Sequence, residues 1–295
     1  MISLMLGVLE EGLVYAIMAL GVYITYKILD FPDLSVDGTF PLGGAITAVL
    51  ITAGVPPILT LIVAFLFGAL AGILTGLIHV KLKVRDLLSG IIMMTALYSL
   101  NLRIAGKANV PIFTKETIFD NELLKQMVPT GLERYMTLII LVLIVILMKL
   151  LLDRYLKTKS GYLLRAVGDN DTLVTSLAKD KGYVKIVGLA IANAFVALAG
   201  CINTQKSGFF DISSGTGTIV IGLASVIIGT NVFKRLTFFN ITTAVIVGAI
   251  IYKLCVALAI ARGMVASDLK LITAVLFLII LVVSNERKRR IKANA

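Results

Sequence analysis

The sequence has no tryptophan, one histidine and two cysteines. A hydrolytic triad needs a histidine held between an acidic partner and a nucleophile. The one histidine, His79, stands beside the short basic loop Lys81–Arg85 and reads as a surface residue. Cys201 and Cys255 both sit in apolar runs, as inert buried thiols do. No set of Cys, His and carboxylate residues has metal-ligand spacing. The G-x-x-x-x-G-K-[ST] loop that cradles nucleotide phosphates is missing. Charge is also scarce, at 15% of residues, against about 25% in soluble domains. These absences leave little chemistry for an enzyme, and no cofactor or metal is expected.

Apolar residues make up 58% of the 295 positions. Their runs reach or pass the ~18 residues that suffice to cross a bilayer. A β-barrel would show short alternating segments instead. The fold class expected is therefore an all-α polytopic membrane protein. The spans run roughly over 4–29, 38–52, 58–80, 87–104, 135–152, 186–203, 217–230, 237–260 and 269–283, about nine transmembrane segments. The first residues lack the basic region of a signal peptide, so the first run is taken as a span.

The net charge of +11 does not point to nucleic acid. Its basic residues gather between spans, at 81–85, 153–185 and 234–235, and in the tail Arg287–Lys292. That is the positive-inside pattern. It places these loops and the C-terminus in the cytoplasm and the N-terminus outside. The basic tail would be held at the membrane by anionic lipid.

One stretch organises the chain: Phe31 to Leu50, FPDLSVDGTFPLGGAITAVL. It sets Asp33 and Asp37 beside Ser35 and Thr39 between apolar runs, with Pro32, Pro41 and three glycines against a continuous helix. Ionisable groups at membrane depth are costly and face a protein interior or a water-filled cavity. Broken helices are tolerated in the same places. A weaker echo runs from Phe209 to Ile228. Phe31, Asp33 and Ser35 match Phe209, Asp211 and Ser213 at one offset, and Gly43 and Ala45 match Gly222 and Ala224 after a one-residue slip. With nine spans the second and seventh are antiparallel, so the halves form an inverted internal repeat around broken helices. Asp33, Ser35, Asp37, Thr39, Asp211, Ser213 and Thr216 are the candidate path residues. A second reading leaves the aspartates as helix caps at the water boundary.

Other polar residues in apolar context are ordinary. Asn193, near the middle of its span, fits an interhelical hydrogen bond. Lys253 lies within reach of the interface and fits a snorkelling side chain.

The longest polar stretch between spans is Asp153 to Lys185. Ser160-Gly161 looks like a break, 162–167 and 172–178 look helical, and Gly168-Asp169-Asn170-Asp171 looks like a turn. Leu163, Leu164, Val167, Leu173 and Val174 would be stranded in a purely solvated loop. A pair of short amphipathic helices suits a groove on a partner.

These residues carry a family resemblance. Asp33-Leu34-Ser35-Val36 resembles the DLSVG motif of ribose-type permeases of ABC importers. SGYLLRAVGDNDTLVTSLAKDKGYVKI resembles their cytoplasmic coupling segment. Ala197-Leu198-Ala199-Gly200 and Gly215 to Gly229 resemble the small-residue and glycine-rich runs that follow. The string DLSVDGTFPLG is most similar to a subgroup associated with tryptophan- and tyrosine-type cargo, within the superfamily that includes branched-chain amino acid permeases. Two features depart. The extra first span of the ribose type is missing, and Asp37 replaces a glycine, so sugar contacts do not carry over.

The resemblance implies one permease domain over 1–295: a first half (1–152), a coupling segment (153–185), a second half (186–284) and a basic tail (285–295). It implies a homodimer in a bacterial inner membrane, served by a separate substrate-binding protein and a separate ATP-binding cassette ATPase. The ATPase would dock on Tyr162, Leu163, Leu164, Arg165, Val167, Gly168, Asp169, Asn170 and Leu173. The alternative function is an ion-coupled secondary transporter, which would have no use for such a docking segment.

Overall fold

Helices account for nearly all of the regular structure. The computed structural model describes residues 2–121, 133–169, 180–233, 240–262, 271 and 273–282. The helices are α1 (Ile2–Val22), continued by a π-helical turn (Tyr23–Ile28), α2 (Val36–Thr52), α3 (Pro57–Val80), α4 (Asp86–Ala105), α5 (Glu133–Leu156), α6 (Lys159–Asp169), α7 (Lys181–Ser207), α8 (Thr218–Val232) and α9 (Ile241–Ala261). A last apolar helix, α10, covers Thr273–Val282. Two three-residue strands, β1 (Asn109–Pro111) and β2 (Phe209–Asp211), pair antiparallel.

Among the described residues, seven helical stretches are long and apolar enough to cross a membrane, and α2 and α10 are shorter apolar helices. The expected boundaries move most around the polar stretch. α5 continues to Leu156 and α7 begins at Lys181, because charged side chains at a helix end leave the backbone free to stay helical. Asp180 caps α7 by accepting the N–H groups of Gly182 and Tyr183.

α7 is the central helix. It packs along α1, α2 and α3. Lipid tails are as apolar as leucine, so helices in a bilayer gain by close backbone approach and not by hiding from solvent. Small residues permit that approach. A Cβ at Gly43 of α2 would run into the Ala197 carbonyl of α7, and one at Gly200 of α7 into the Phe40 carbonyl of α2. Gly68, Gly72 and Gly76 give α3 the same closeness to α7. Away from α7, large apolar side chains face outward, Leu66 and Phe67 on α3, Ile91 and Ile92 on α4, Leu147 and Leu150 on α5.

Two ion pairs tie α1 to its neighbours: Lys206 to Glu10 at 3.5 Å and Lys253 to Glu11 at 3.1 Å. Lys253 is therefore not the free snorkelling cation the sequence suggested. Its ammonium also sits 3.8 Å above the Tyr15 ring, because α9 packs against α1.

Candidate functional site

The first break follows the π turn. Leu29 N–H donates to Ile24 O and Phe31 N–H to Thr25 O, both at 2.9 Å, so the chain folds back on the end of α1 before α2 begins. Asp30 adopts a positive φ of 51° within this reversal. Asp33 Oδ1 accepts the Ser35 amide at 2.9 Å, and Oδ2 accepts the Asn193 side-chain amide at 2.8 Å. Ser35 Oγ donates to Asn193 Oδ1 at 3.2 Å, closing the ring of bonds. Thr39 Oγ1 donates to Ser35 O at 3.0 Å. Asp33, Ser35, Thr39 and Asn193 are all buried. Asn193 is thus the interhelical hydrogen-bonder expected from its position, and its partner is the broken segment.

The second break leads into α8. Gly208 ends α7 with φ 76° and Gly217 precedes α8 with φ 84°, the left-handed region that glycine enters without a Cβ penalty. Between them Asp211 Oδ1 accepts the Ser213 amide at 2.9 Å, and Oδ2 accepts the Ser213 hydroxyl at 2.7 Å. The strand β2 within this connection is held by β1 through Val110 and Phe210. α2 is ~26 Å long, at about 1.5 Å per residue, below the ~30 Å of a hydrocarbon core; α8 alone is ~22 Å, and it reaches spanning length only together with the turn that begins at Ile212.

The two breaks meet at Asp37. Its Oδ2 accepts Gly217 N–H at 2.9 Å, and its Oδ1 accepts Ile219 N–H at 2.8 Å and the Thr218 hydroxyl at 2.9 Å. A carboxylate on the first turn of α2 thereby satisfies the free N–H groups at the start of α8, where the helix dipole also favours negative charge. Beside it lies a cavity of about 310 Å³, lined among others by Asp37, Pro41, Met94, Tyr98, Ser99 and Thr216.

The seven path candidates therefore separate. Asp37 and Thr216 line this cavity. Asp33, Ser35 and Thr39 lie in the buried network on Asn193, and Asp211 and Ser213 form the second turn. Sequence reasoning missed the α4 wall. Its signal was modest: Thr95 and Ser99 one turn apart with Tyr98 between them, in a helix that also carries Asn101 and Arg103.

α6 carries the other set of candidates. Leu164 and Val167 are buried, not exposed as their place in a polar stretch suggested. They face this chain's own core, with Leu164 beside Gly188 of α7. Gly168 lies inside α6 and not in a turn. A Cβ there would collide with the Ile28 carbonyl. Its job is close packing on the π turn. Leu163 is half-buried, while Tyr162, Arg165 and Asp169 are exposed. Asn170 and Leu173 lie outside the described residues.

Against this geometry stand the comparisons with known proteins. A family model described as the permease component of a branched-chain amino acid transport system matches residues 4–284. A tyrosine transport system permease protein of Clostridioides difficile (strain R20291) is 43% identical over 290 residues, covering 98% of this chain and 94% of the relative. An uncharacterised protein of Rickettsia prowazekii (strain Madrid E) is 31% identical over 94% of this chain and 96% of its own length. A ribose import permease protein of Haemophilus influenzae is 26% identical over 76% of this chain and 68% of its own length. No solved structure gives a significant match. The chain is a multi-pass membrane protein and a transport subunit rather than an enzyme, and it belongs to the branched-chain amino acid transport system permease family.

Proposed function

We propose that the chain forms the solute path of an ABC-type importer for an amino acid, with an aromatic amino acid as the favoured cargo. The cargo reading is supported by the 43% identical relative, whose name specifies tyrosine transport. The observation that carries the mechanism is the Asp37 bridge. It joins the first turn of α2 to the N-terminus of α8 beside a cavity. Discontinuous helices meeting at a repeat interface are where secondary transporters build their substrate sites, and the same construction suits a path here.

The same contacts support a coupling role for α6. Gly168 of α6 rests on Ile28, and five residues beyond Ile28 stands Asp33, whose network sets the start of α2. A push on α6 thus has a short packed route to α2, and through Asp37 to α8. The ATPase would bear on the exposed Tyr162, Arg165 and Asp169, with Asn170 and Leu173 continuing the segment. The inward stripe of Leu164 and Val167 would hold α6 to its own subunit. A homodimer would present two such helices to a dimeric ATPase, and closed twofold symmetry is the commonest arrangement. A binding protein would deliver cargo at the end where β1 and β2 lie. In this reading the N-terminus is outside, the basic tail is cytoplasmic, and nine spans lie in a bacterial inner membrane.

The test is reconstitution in liposomes with a partner ATP-binding cassette ATPase and a partner substrate-binding protein. Uptake of labelled tyrosine that requires ATP and both partners is the expected result, with two copies of this chain in the complex by mass. Uptake driven by an ion gradient without any ATPase would overturn the importer reading in favour of secondary transport.

A further inference from the structure

Asp37 has a feature that a helix cap does not need. Asp37 lines a cavity as well as capping the start of α8. The cavity sits against Met94, Tyr98 and Ser99 of the apolar helix α4, and a charge is costly within a membrane span. Among the described residues no lysine or arginine forms an ion pair with Asp37. The end of α8 offers only about half a positive charge, so the wall keeps a net negative character. One residue on, the Asn101 side-chain amide donates to Gly38 O at 2.9 Å, while its buried Oδ1 has no hydrogen-bond partner.

Resting on the amino-acid import reading above, we infer that Asp37 is the subsite for the cargo's α-ammonium group, with the cargo side chain against Tyr98 and Met94. The α-carboxylate does not go to the α8 N-terminus, because Asp37 already occupies those N–H groups. The volume of about 310 Å³ lies at the small end of ligand pockets, which run from roughly 300 to 1,000 Å³. That volume is enough for a single amino acid. The rigid seat of Asp37 fixes the carboxylate without neutralising it, and an ammonium is the donor its remaining acceptor capacity fits.

Thiol labelling of the complete transporter tests this without relying on capture by the binding protein. Ser99→Cys is introduced into a Cys201→Ala/Cys255→Ala background, and maleimide labelling is followed with tyrosine, tyramine or 3-(4-hydroxyphenyl)propionate present. Tyrosine and tyramine should slow labelling, and the propionate, which lacks the ammonium, should not. Asp37→Asn should raise the protecting concentration of tyramine roughly tenfold or more, as loss of a charged hydrogen bond implies. Asp37→Glu should retain part of the protection. Equal protection by the propionate, unchanged protection in Asp37→Asn, or equal protection by sodium chloride alone would each overturn the assignment. If Asp37→Asn does not assemble, the comparison of analogues on the Asp37 protein decides alone. ATP-driven tyrosine uptake is measured on the same samples. Uptake with no protection by any probe overturns the subsite while leaving the import reading standing.

Discussion

Asp33 and Asp211 make the same turn in the two halves of the chain. Each holds the amide of the serine two residues on at 2.9 Å through its Oδ1. Each turn precedes a short apolar helix. What differs is the second carboxylate oxygen. Asp33 gives it to Asn193 across the bundle, and Asp211 gives it to the hydroxyl of its own Ser213. The first turn is thereby anchored in the core, while the second stays near the surface, at an exposed serine. Asp37 then ties the anchored half to the other.

The anchor makes the first prediction. Asn193→Leu removes the donor to Asp33 Oδ2 and the acceptor of Ser35 Oγ, in a site where neither finds water. Buried polar groups left without partners cost about 1–3 kcal/mol each. The purified variant should melt well below the parent in detergent, and it should lose transport because the start of α2 is no longer fixed. A melting temperature equal to that of the parent would show that the network does not hold the break.

Backbone closeness makes the second. Gly43→Ala places a methyl against the Ala197 carbonyl, and backbone cannot step aside as a flexible side chain does. α2 and α7 must then separate along their length. Gly7→Ala in α1 meets nothing within 4 Å and should be neutral or slightly stabilising, since glycine costs about 0.5–1 kcal/mol against alanine inside a helix. Size-exclusion profiles should show Gly43→Ala aggregated or poorly expressed and Gly7→Ala unchanged.

Much of this arrangement was legible in the sequence. Long apolar runs separated by basic loops give the helices, and the Phe-x-Asp-x-Ser echo gives both breaks. Three things were not legible. The inward face of α6 was misjudged because a polar stretch does not show which surface its leucines meet, and Gly188 lies in another helix. The role of Asp37 depends on N–H groups about 180 positions away, which no local pattern announces. The α4 wall rests on a tyrosine and a serine that look like ordinary span residues.

The third prediction concerns Lys253. Its ammonium bridges Glu11 and the Tyr15 ring, with the lysine side chain mostly buried and the glutamate half exposed. Exposed pairs contribute about 0–1 kcal/mol, and the cation–π contact adds a similar amount. Lys253→Met keeps the packing volume and loses both. A small downward shift in melting temperature is expected, with transport retained. Abolished transport in a well-folded Lys253→Met would mean that the lysine serves the path and not the α1–α9 joint.

The fourth prediction separates the two faces of α6. Leu164 is fully buried against the core, and Arg165, next to it, is exposed. Leu164→Asp would bury a charge without a partner, so α6 should peel from the π turn and the subunit should lose stability by several kcal/mol, as uncompensated buried charges do. Arg165→Glu leaves the packed stripe of Leu164, Val167 and Gly168 intact. It reverses a charge only on the outward face, where charged contacts set specificity and association more than raw affinity. Its melting temperature should match the parent, while the ATPase should co-purify poorly or hydrolyse ATP without driving uptake. The combination discriminates, because a purely structural α6 would show its defect in Leu164→Asp alone. Normal ATPase binding and normal uptake in Arg165→Glu, Tyr162→Ala and Asp169→Lys would remove the outward face from coupling and move the contact to another loop.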